Sequence, residues 1–284
     1  MRPRPSEWLL GGYATVVIAT GLVRMDRYPA AAWAVVAHGL LLVLLGLFQS
    51  PRLGPAGRLL RGAAPFVVLL ALYGALDLLS GFGAERTYDV LIRQWERGLF
   101  GHEISAEWWR RAPSPFWSSV LHAAYFAYYF VVPVPILISI VRRDEPRLVF
   151  ASFALMATFV VCYLWFIFFP VAGPYYEYVR PDAWFTANGP ARAVYGVLER
   201  GSSYGAAFPS SHVAATWVAA AMTWPASRPV GGALIVAAGL LTVGVVYCQM
   251  HYGIDALAGA IVAAMVVPAT RWIFTSAGRT VPGN

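Results

Sequence analysis

Two histidines near the C-terminus, His212 and His251, stand in settings suited to chemistry at phosphorus. The first closes the run Ala207-Phe208-Pro209-Ser210-Ser211-His212, and the second opens His251-Tyr252-Gly253-Ile254-Asp255. Each lies where an apolar stretch begins. On a helix starting there, Asp255 at i+4 shares a face with His251. A carboxylate beside an imidazole sets its tautomer and raises its basicity, which a histidine nucleophile requires. His212 is then the candidate to protonate the leaving oxygen. Ahead of it, Pro209, Ser210 and Ser211 supply helix-starting residues, hydroxyls and backbone N–H groups at the positive end of a helix dipole, where phosphate binds. His38 and His122 have no such neighbours and are expected to be structural.

The elements that must position these residues are set by the solvent the chain lives in. Of 284 residues, 59% are apolar and 12% charged, far from the composition of a soluble domain. Eight stretches approach the roughly 20 apolar residues that cross a bilayer as a helix. They centre on 8–23, 32–48, 64–79, 116–141, 149–169, 211–223, 231–248 and 254–274. The expected fold is an all-α, polytopic membrane helical bundle of about eight transmembrane helices. We divide it into two N-terminal transmembrane helices, 1–62, and a catalytic membrane domain, 63–284. Arg2 and Arg4 precede the first stretch, but no small-x-small cleavage site follows, so a retained first helix and a chain beginning near Met1 are expected. Residues 87–99 carry apolar and charged residues at helical spacing. With Trp95, Trp108 and Trp109 nearby, this predicts an amphipathic helix on the membrane surface with tryptophans at headgroup depth.

All 21 basic residues are arginine and the net charge is +7; with abundant alanine and glycine this reads as the composition of a GC-rich bacterial genome. Nothing resembles a nucleic-acid module. Short loops with Arg52, Arg58 and Arg61 and with Arg142, Arg143 and Arg147 fall on one side of an eight-span chain, with Arg2, Arg4, Arg228, Arg271 and Arg279. That side is expected to be cytoplasmic, with both termini, leaving the histidines facing the periplasm or exterior. Cys162 and Cys248 fall in or at the end of apolar stretches and read as buried free thiols. No cysteine/histidine spacing fits zinc, and neither a metal nor a cofactor is expected. Asp77 lies inside the third stretch and is expected to pair with an arginine of 86–97 such as Arg93. Tyr125, Tyr128, Tyr129 and Phe130 read as helix packing.

The histidine motifs resemble those of the type 2 phosphatidic acid phosphatase superfamily, over roughly 165–260. Its Pro-Ser-Gly-His motif appears as Pro209-Ser210-Ser211-His212, and its His-x-x-x-Asp ending as His251 and Asp255. The resemblance implies a six-helix core and assigns His251 as nucleophile, Asp255 as its orienting partner and His212 as general acid. It also implies that Ser210, helped by the Ser211 backbone, holds phosphate oxygens. The arginine usual six residues before the second histidine is replaced by Val245. In the superfamily's Lys-x6-Arg-Pro motif, Arg180-Pro181 is kept while Gly173 takes the lysine place. A phosphoryl transition state needs positive charge, for which Arg180, Arg192 and Arg200 are the candidates, Arg180 first. The runs Phe169-Pro170-Val171-Ala172-Gly173-Pro174 and His251-Tyr252-x-x-Asp255 resemble the branch containing inositol phosphorylceramide synthase, which implies transfer of a phospho-headgroup to a lipid alcohol. Tyr175-Tyr176 stands where that branch often has an arginine.

The expected function is thus a metal-independent lipid phosphotransferase or phosphatase working through a phosphohistidine, with membrane lipids as its partners. A lipid phosphate or polyprenyl diphosphate phosphatase is the alternative. A transporter using His212, His251 and Asp255 as a proton relay is the reading from another class; it predicts broken helices or inverted repeats.

Overall fold

A computed structural model describes residues 4–50, 54–81, 83 and 86–282. Among them the chain forms fourteen helices and no strand. They are α1 (Pro5–Arg24), α2 (Ala31–Leu47), α3 (Pro55–Ser80), α4 (Asp89–Phe100), α5 (Ile104–Arg111), α6 (Pro115–Val131), α7 (Val134–Val141), α8 (Glu145–Phe168), α9 (Pro174–Glu177), α10 (Ala183–Thr186), α11 (Gly189–Gly201), α12 (Ser211–Thr223), α13 (Arg228–Tyr247) and α14 (Gly253–Ser276).

Every apolar stretch anticipated from the sequence is helical. Five helical segments are long and apolar enough to cross a membrane: α1, the α6–α7 segment Pro115–Val141, α8, α13 and α14. Helix α2 and the second half of α3, Ala71–Ser80, are shorter apolar helices, and α12 has 13 residues, about 20 Å of length. The single stretch expected over 116–141 is divided at Val132–Pro133, where proline brings no N–H to the helical ladder.

Helix α8 is the axis of the bundle, packs on α1, α3, α7, α12 and α14 and is buried along most of its length. It starts where the Asp144 carboxylate accepts the Arg147 N–H at 3.0 Å. Between lipid-bathed helices there is little hydrophobic driving force, so close backbone approach and van der Waals packing carry the association. Helix α12 shows this: Ala214, Ala215, Ala219 and Ala220 are all buried between α13, α14 and α8. At its foot, a Cβ built on Gly259 of α14 would stand 2.4 Å from the Ser210 carbonyl oxygen. Gly259→Ala is therefore expected to cost about 1–3 kcal/mol as an overpacked contact. Because it pushes the start of α12 away from α14, turnover should fall on the order of 10²-fold. A thermal melt and initial rates on one preparation check both.

The two ends of the bundle differ. At one end Arg4 pairs with Glu145 at 2.6 Å, bringing the starts of α1 and α8 together, and Arg142 donates to the Ala226 carbonyl after α12. Arg61, expected in a solvated loop, is instead 3% exposed inside α3 and paired with Glu7 of α1; an ion pair removed from water holds the two helices in register. Arg2 and Arg52 lie outside the described residues, as does the side chain of Arg58. At the other end, the close of α8, the start of α12 and the α13–α14 junction meet.

Helix α4 is the helix expected over 87–99. Its apolar residues Val90, Trp95 and Leu99 are exposed, while Asp89, Ile92 and Glu96 face inward. Trp109, expected at headgroup depth, is buried against Phe185. Cys162 and Cys248 are buried free thiols, as expected.

Candidate active site

The site forms where three local signals converge. Ser210 caps α12, its hydroxyl accepting the Val213 N–H at 3.4 Å, which satisfies an N–H that the first helical turn leaves unpaired. Asp255 caps α14, its Oδ2 accepting the Tyr252 N–H at 2.8 Å. Between α13 and α14 the chain reverses through Gln249 at φ 61°, and the Met250 and His251 N–H groups both donate to the Val245 carbonyl. This tight turn aims His251 at the start of α12. The two starts are tied directly, since Ser210 N–H donates to the Asp255 carbonyl at 3.0 Å.

His251 and His212 meet: Nε2 of His251 lies 3.5 Å from Nδ1 of His212. His251 Nδ1 is 3.0 Å from the Ala207 carbonyl oxygen and 3.4 Å from Asp255 Oδ2. A carbonyl can only accept, so Nδ1 carries the proton and Nε2 presents its lone pair to the cavity. The sequence assigned that task to Asp255 alone; the Ala207 carbonyl shares it. Asp255 is fully buried, and its Oδ1 has no hydrogen-bond partner in the structure.

His212 is held by two tyrosines of α6. The Tyr125 ring stacks on it at 4.8 Å, Tyr128 packs at 4.4 Å, and the Tyr125 hydroxyl lies 3.3 Å from Nε2. If the proton is exchanged at Nδ1, Nε2 keeps its own proton and donates to that hydroxyl oxygen in both the neutral and the protonated ring, so Nδ1 keeps its position in both states. Tyr125 and Tyr128 thus belong to the site, not only to helix packing. Tyr125→Phe keeps the stack and removes the hydroxyl; turnover is expected to fall roughly two- to tenfold, the loss of one hydrogen bond, with the acid limb of the pH–rate profile displaced. Rates measured across pH at saturating substrate read this.

The histidines open onto a cavity of about 40 Å³ that also touches Tyr73, Tyr175, Tyr176 and Ser203. Among the described residues no arginine lines it. Arg180 is one side chain away: it donates to the Tyr175 hydroxyl at 3.1 Å, lies over the rings of Tyr175 and Tyr195 and pairs with Glu199. Arg192 is exposed on α11, and Arg200 donates to the Gly196 carbonyl. Ser210 is fully buried as a cap, and the Ser211 side chain is buried beside it. Val245 is fully buried. Asp77, expected to pair with an arginine such as Arg93, instead accepts the Ser203 hydroxyl at 2.7 Å, and Arg93 pairs with Glu103. The reason is the fold: α3 runs beside the 202–204 turn, whereas Arg93 points along α4 to its own end. Burial alone would push the Glu103 carboxyl up, but hydrogen bonds from Tyr178 and Arg93 and the charge of Arg97 outweigh it and hold it below the usual range. His38 and His122 each lie 2.8 Å from the carbonyl four residues back, a structural bond.

Two carboxylates of α4 shape the site from outside. Asp89 accepts the N–H groups of Ala172 and Gly173 at 2.9 and 2.8 Å and the Tyr252 hydroxyl at 2.9 Å. Glu96 accepts the Gly253 N–H at 2.7 Å and the Ser105 hydroxyl at 2.8 Å. Burial pushes the Glu96 carboxyl above the usual range against these bonds. Gly173, in the place of the superfamily's lysine, has φ 91°, and a Cβ there would come within 2.8 Å of Ala207 Cβ. Sequence reasoning passed over both carboxylates. A signal existed: acids seven residues apart flank Ile92 on one stripe of the helix.

The helical membrane bundle thus brings two imidazoles face to face in one cavity. A family model described as the PAP2 superfamily matches residues 90–269, well over half of the chain, and the chain belongs to that superfamily. Membership supports a phosphatase or phosphoesterase-type lipid enzyme. No curated protein and no solved structure matches the chain.

Proposed function

We propose that the protein transfers a phospho-headgroup from a phospholipid to a lipid alcohol through a phosphohistidine on His251. The facing His251 Nε2 and His212 Nδ1, 3.5 Å apart in a common cavity, carry this reading. His251 Nε2 attacks phosphorus in line; the bond to the leaving lipid oxygen breaks and its electron pair stays on that oxygen, which takes a proton from His212 Nδ1. His212, now neutral, removes the proton of the incoming hydroxyl as its oxygen attacks phosphorus and the P–N bond breaks. A phosphoryl group must separate the imidazoles to enter, as catalytic contacts in unliganded sites commonly rearrange. Ser210 acts through α12: its hydroxyl caps the helix, and with Ser211 it presents the N–H groups of the first turn to phosphate.

The catalytic unit we assign is 63–284, with 1–62 as an added helix pair, in an eight-span arrangement with both termini cytoplasmic and the site facing the periplasm or exterior. Arg180 is the first candidate to neutralise the phosphate, swinging from Glu199 past Tyr175. Arg180→Gln is expected to lower kcat/KM on the order of 10²-fold, with Arg192→Gln and Arg200→Gln well below that, in parallel assays on one substrate.

The deciding experiment gives the purified enzyme a radiolabelled phospholipid with and without a lipid alcohol. A new phospholipid supports transfer. Release of the free phospho-headgroup or inorganic phosphate at the same rate whether or not the alcohol is present assigns hydrolysis, the second reading, for which water is the acceptor. Failure to label His251 in a quenched reaction removes the phosphohistidine from both.

A further inference from the structure

At the same end of the bundle, outside the histidine cavity, the close of α1 and the close of α8 border a pocket of about 480 Å³. Its charged lining is all of one sign: Arg24, Arg27 and Arg86, with Tyr88, Phe168 and Pro170 completing it. Asp26, between two of the arginines in sequence, does not line it. Arg24 is set by the helix ends around it, donating to the Leu79 carbonyl at 3.3 Å and the Ile167 carbonyl at 3.0 Å. Those carbonyls are among the unpaired acceptors of the last turns of α3 and α8, so the guanidinium is fixed where it stands. Arg27 lies 5.0 Å over the Tyr28 ring. Among the described residues no carboxylate pairs with Arg27 or Arg86.

We propose that this pocket binds the headgroup of an anionic phospholipid, as a second lipid site distinct from the catalytic one. Three features favour that occupant. The volume is within the range of small-molecule sites and far exceeds the roughly 40 Å³ beside the histidines. Guanidinium groups match phosphate oxygens through bidentate, charge-assisted hydrogen bonds. Apolar surface is at hand as well: Phe168 lines the pocket and is exposed, and Leu22 and Val23, just before Arg24 on α1, and Trp165, one turn before Phe168 on α8, are exposed too, so acyl chains can lie there while the phosphate meets the arginines. The site reaches the catalytic wall through one short segment. Tyr88 N–H donates to the Pro170 carbonyl, and Asp89, the next residue, holds the N–H groups of Ala172 and Gly173.

Native mass spectrometry of the full-length protein tests this, using phosphatidylglycerol titrated into phosphatidylcholine nanodiscs. Wild-type protein is expected to retain phosphatidylglycerol preferentially. Arg27→Gln and Arg86→Gln should each weaken retention about fivefold, while Arg27→Lys with Arg86→Lys keeps most of it. Arg110→Gln, an exposed arginine elsewhere, and His251→Ala should retain lipid as wild type does. Because binding is read in the His251→Ala background too, the result is independent of the catalytic assignment. Retention by Arg27→Gln and Arg86→Gln equal to that of wild type, or a loss in Arg110→Gln as large as theirs, overturns the proposal. Displacement of the lipid by millimolar inorganic phosphate overturns its lipid specificity and assigns a simple anion site.

Discussion

His251→Ala is expected to abolish turnover, lowering kcat by roughly 10⁴-fold or more, with the protein still folded. The imidazole is 4% exposed at the end of a tight turn; alanine leaves a void and takes one partner from the buried Asp255 carboxylate, whose Oδ2 keeps the Tyr252 N–H. His212→Ala should cost less, on the order of 10²–10⁴-fold, the usual share of a general acid. The two roles separate by leaving group. With an aryl phosphate whose phenolate leaves without protonation, His212→Ala should recover most of the first step and accumulate labelled His251, because the same residue is needed as base in the second. His251→Ala should recover nothing. Equal recovery of both variants with the activated substrate would reverse or dissolve the assignment of roles.

The second large effect is expected at a residue that touches no substrate. Asp89→Ala removes the acceptor of two backbone N–H groups and of the Tyr252 hydroxyl. Each donor left unpaired in a buried position costs about 1–3 kcal/mol, and partial relaxation should leave a net loss of roughly 3–5 kcal/mol. The consequence for function follows from connectivity. Ala172 lines the cavity, and the neighbouring Val171 is bonded to the extended segment 205–207 that carries the Ala207 carbonyl to His251 Nδ1. Loosening Ala172 and Gly173 therefore misplaces the group that sets the nucleophile's tautomer. The expected result is a fall in kcat on the order of 10²-fold, with KM less affected, and faster amide exchange over 171–173. Asp89→Asn, which keeps one acceptor oxygen, should lie between. Wild-type melting and kcat in Asp89→Ala would show that α4 merely covers the site.

Much of this was legible in the chain because it is governed by local or compositional physics. Apolar content and helical-length stretches specify spanning helices through the cost of unpaired backbone groups in hydrocarbon. The start of α12 was readable from Pro209, Ser210 and Ser211, and that of α14 from Asp255, since caps act within three or four residues. The His251–Asp255 relation is likewise a property of one helical turn.

What the sequence alone could not specify depends on contacts between residues far apart. Tyr125 and His212 are 87 positions apart, and Asp89 and Ala172 are 83 apart; no periodicity links them. The helical spacing of 87–99 marked an amphipathic helix but not the partners of its acids: two backbone segments need acceptors, and Asp89 and Glu96 supply them. Asp77 was matched to arginine by charge, but packing placed Ser203 beside it. The facing histidines show the division most directly. Sequence determined that each stands where a helix begins. Only the tertiary structure decided that Nε2 of one meets Nδ1 of the other and that the Ala207 carbonyl shares the tautomer-setting contact. It also left the candidate arginines Arg180, Arg192 and Arg200 outside the cavity, because the close packing of α12, α13 and α14 settles which atoms converge, and that packing is a property of the whole bundle.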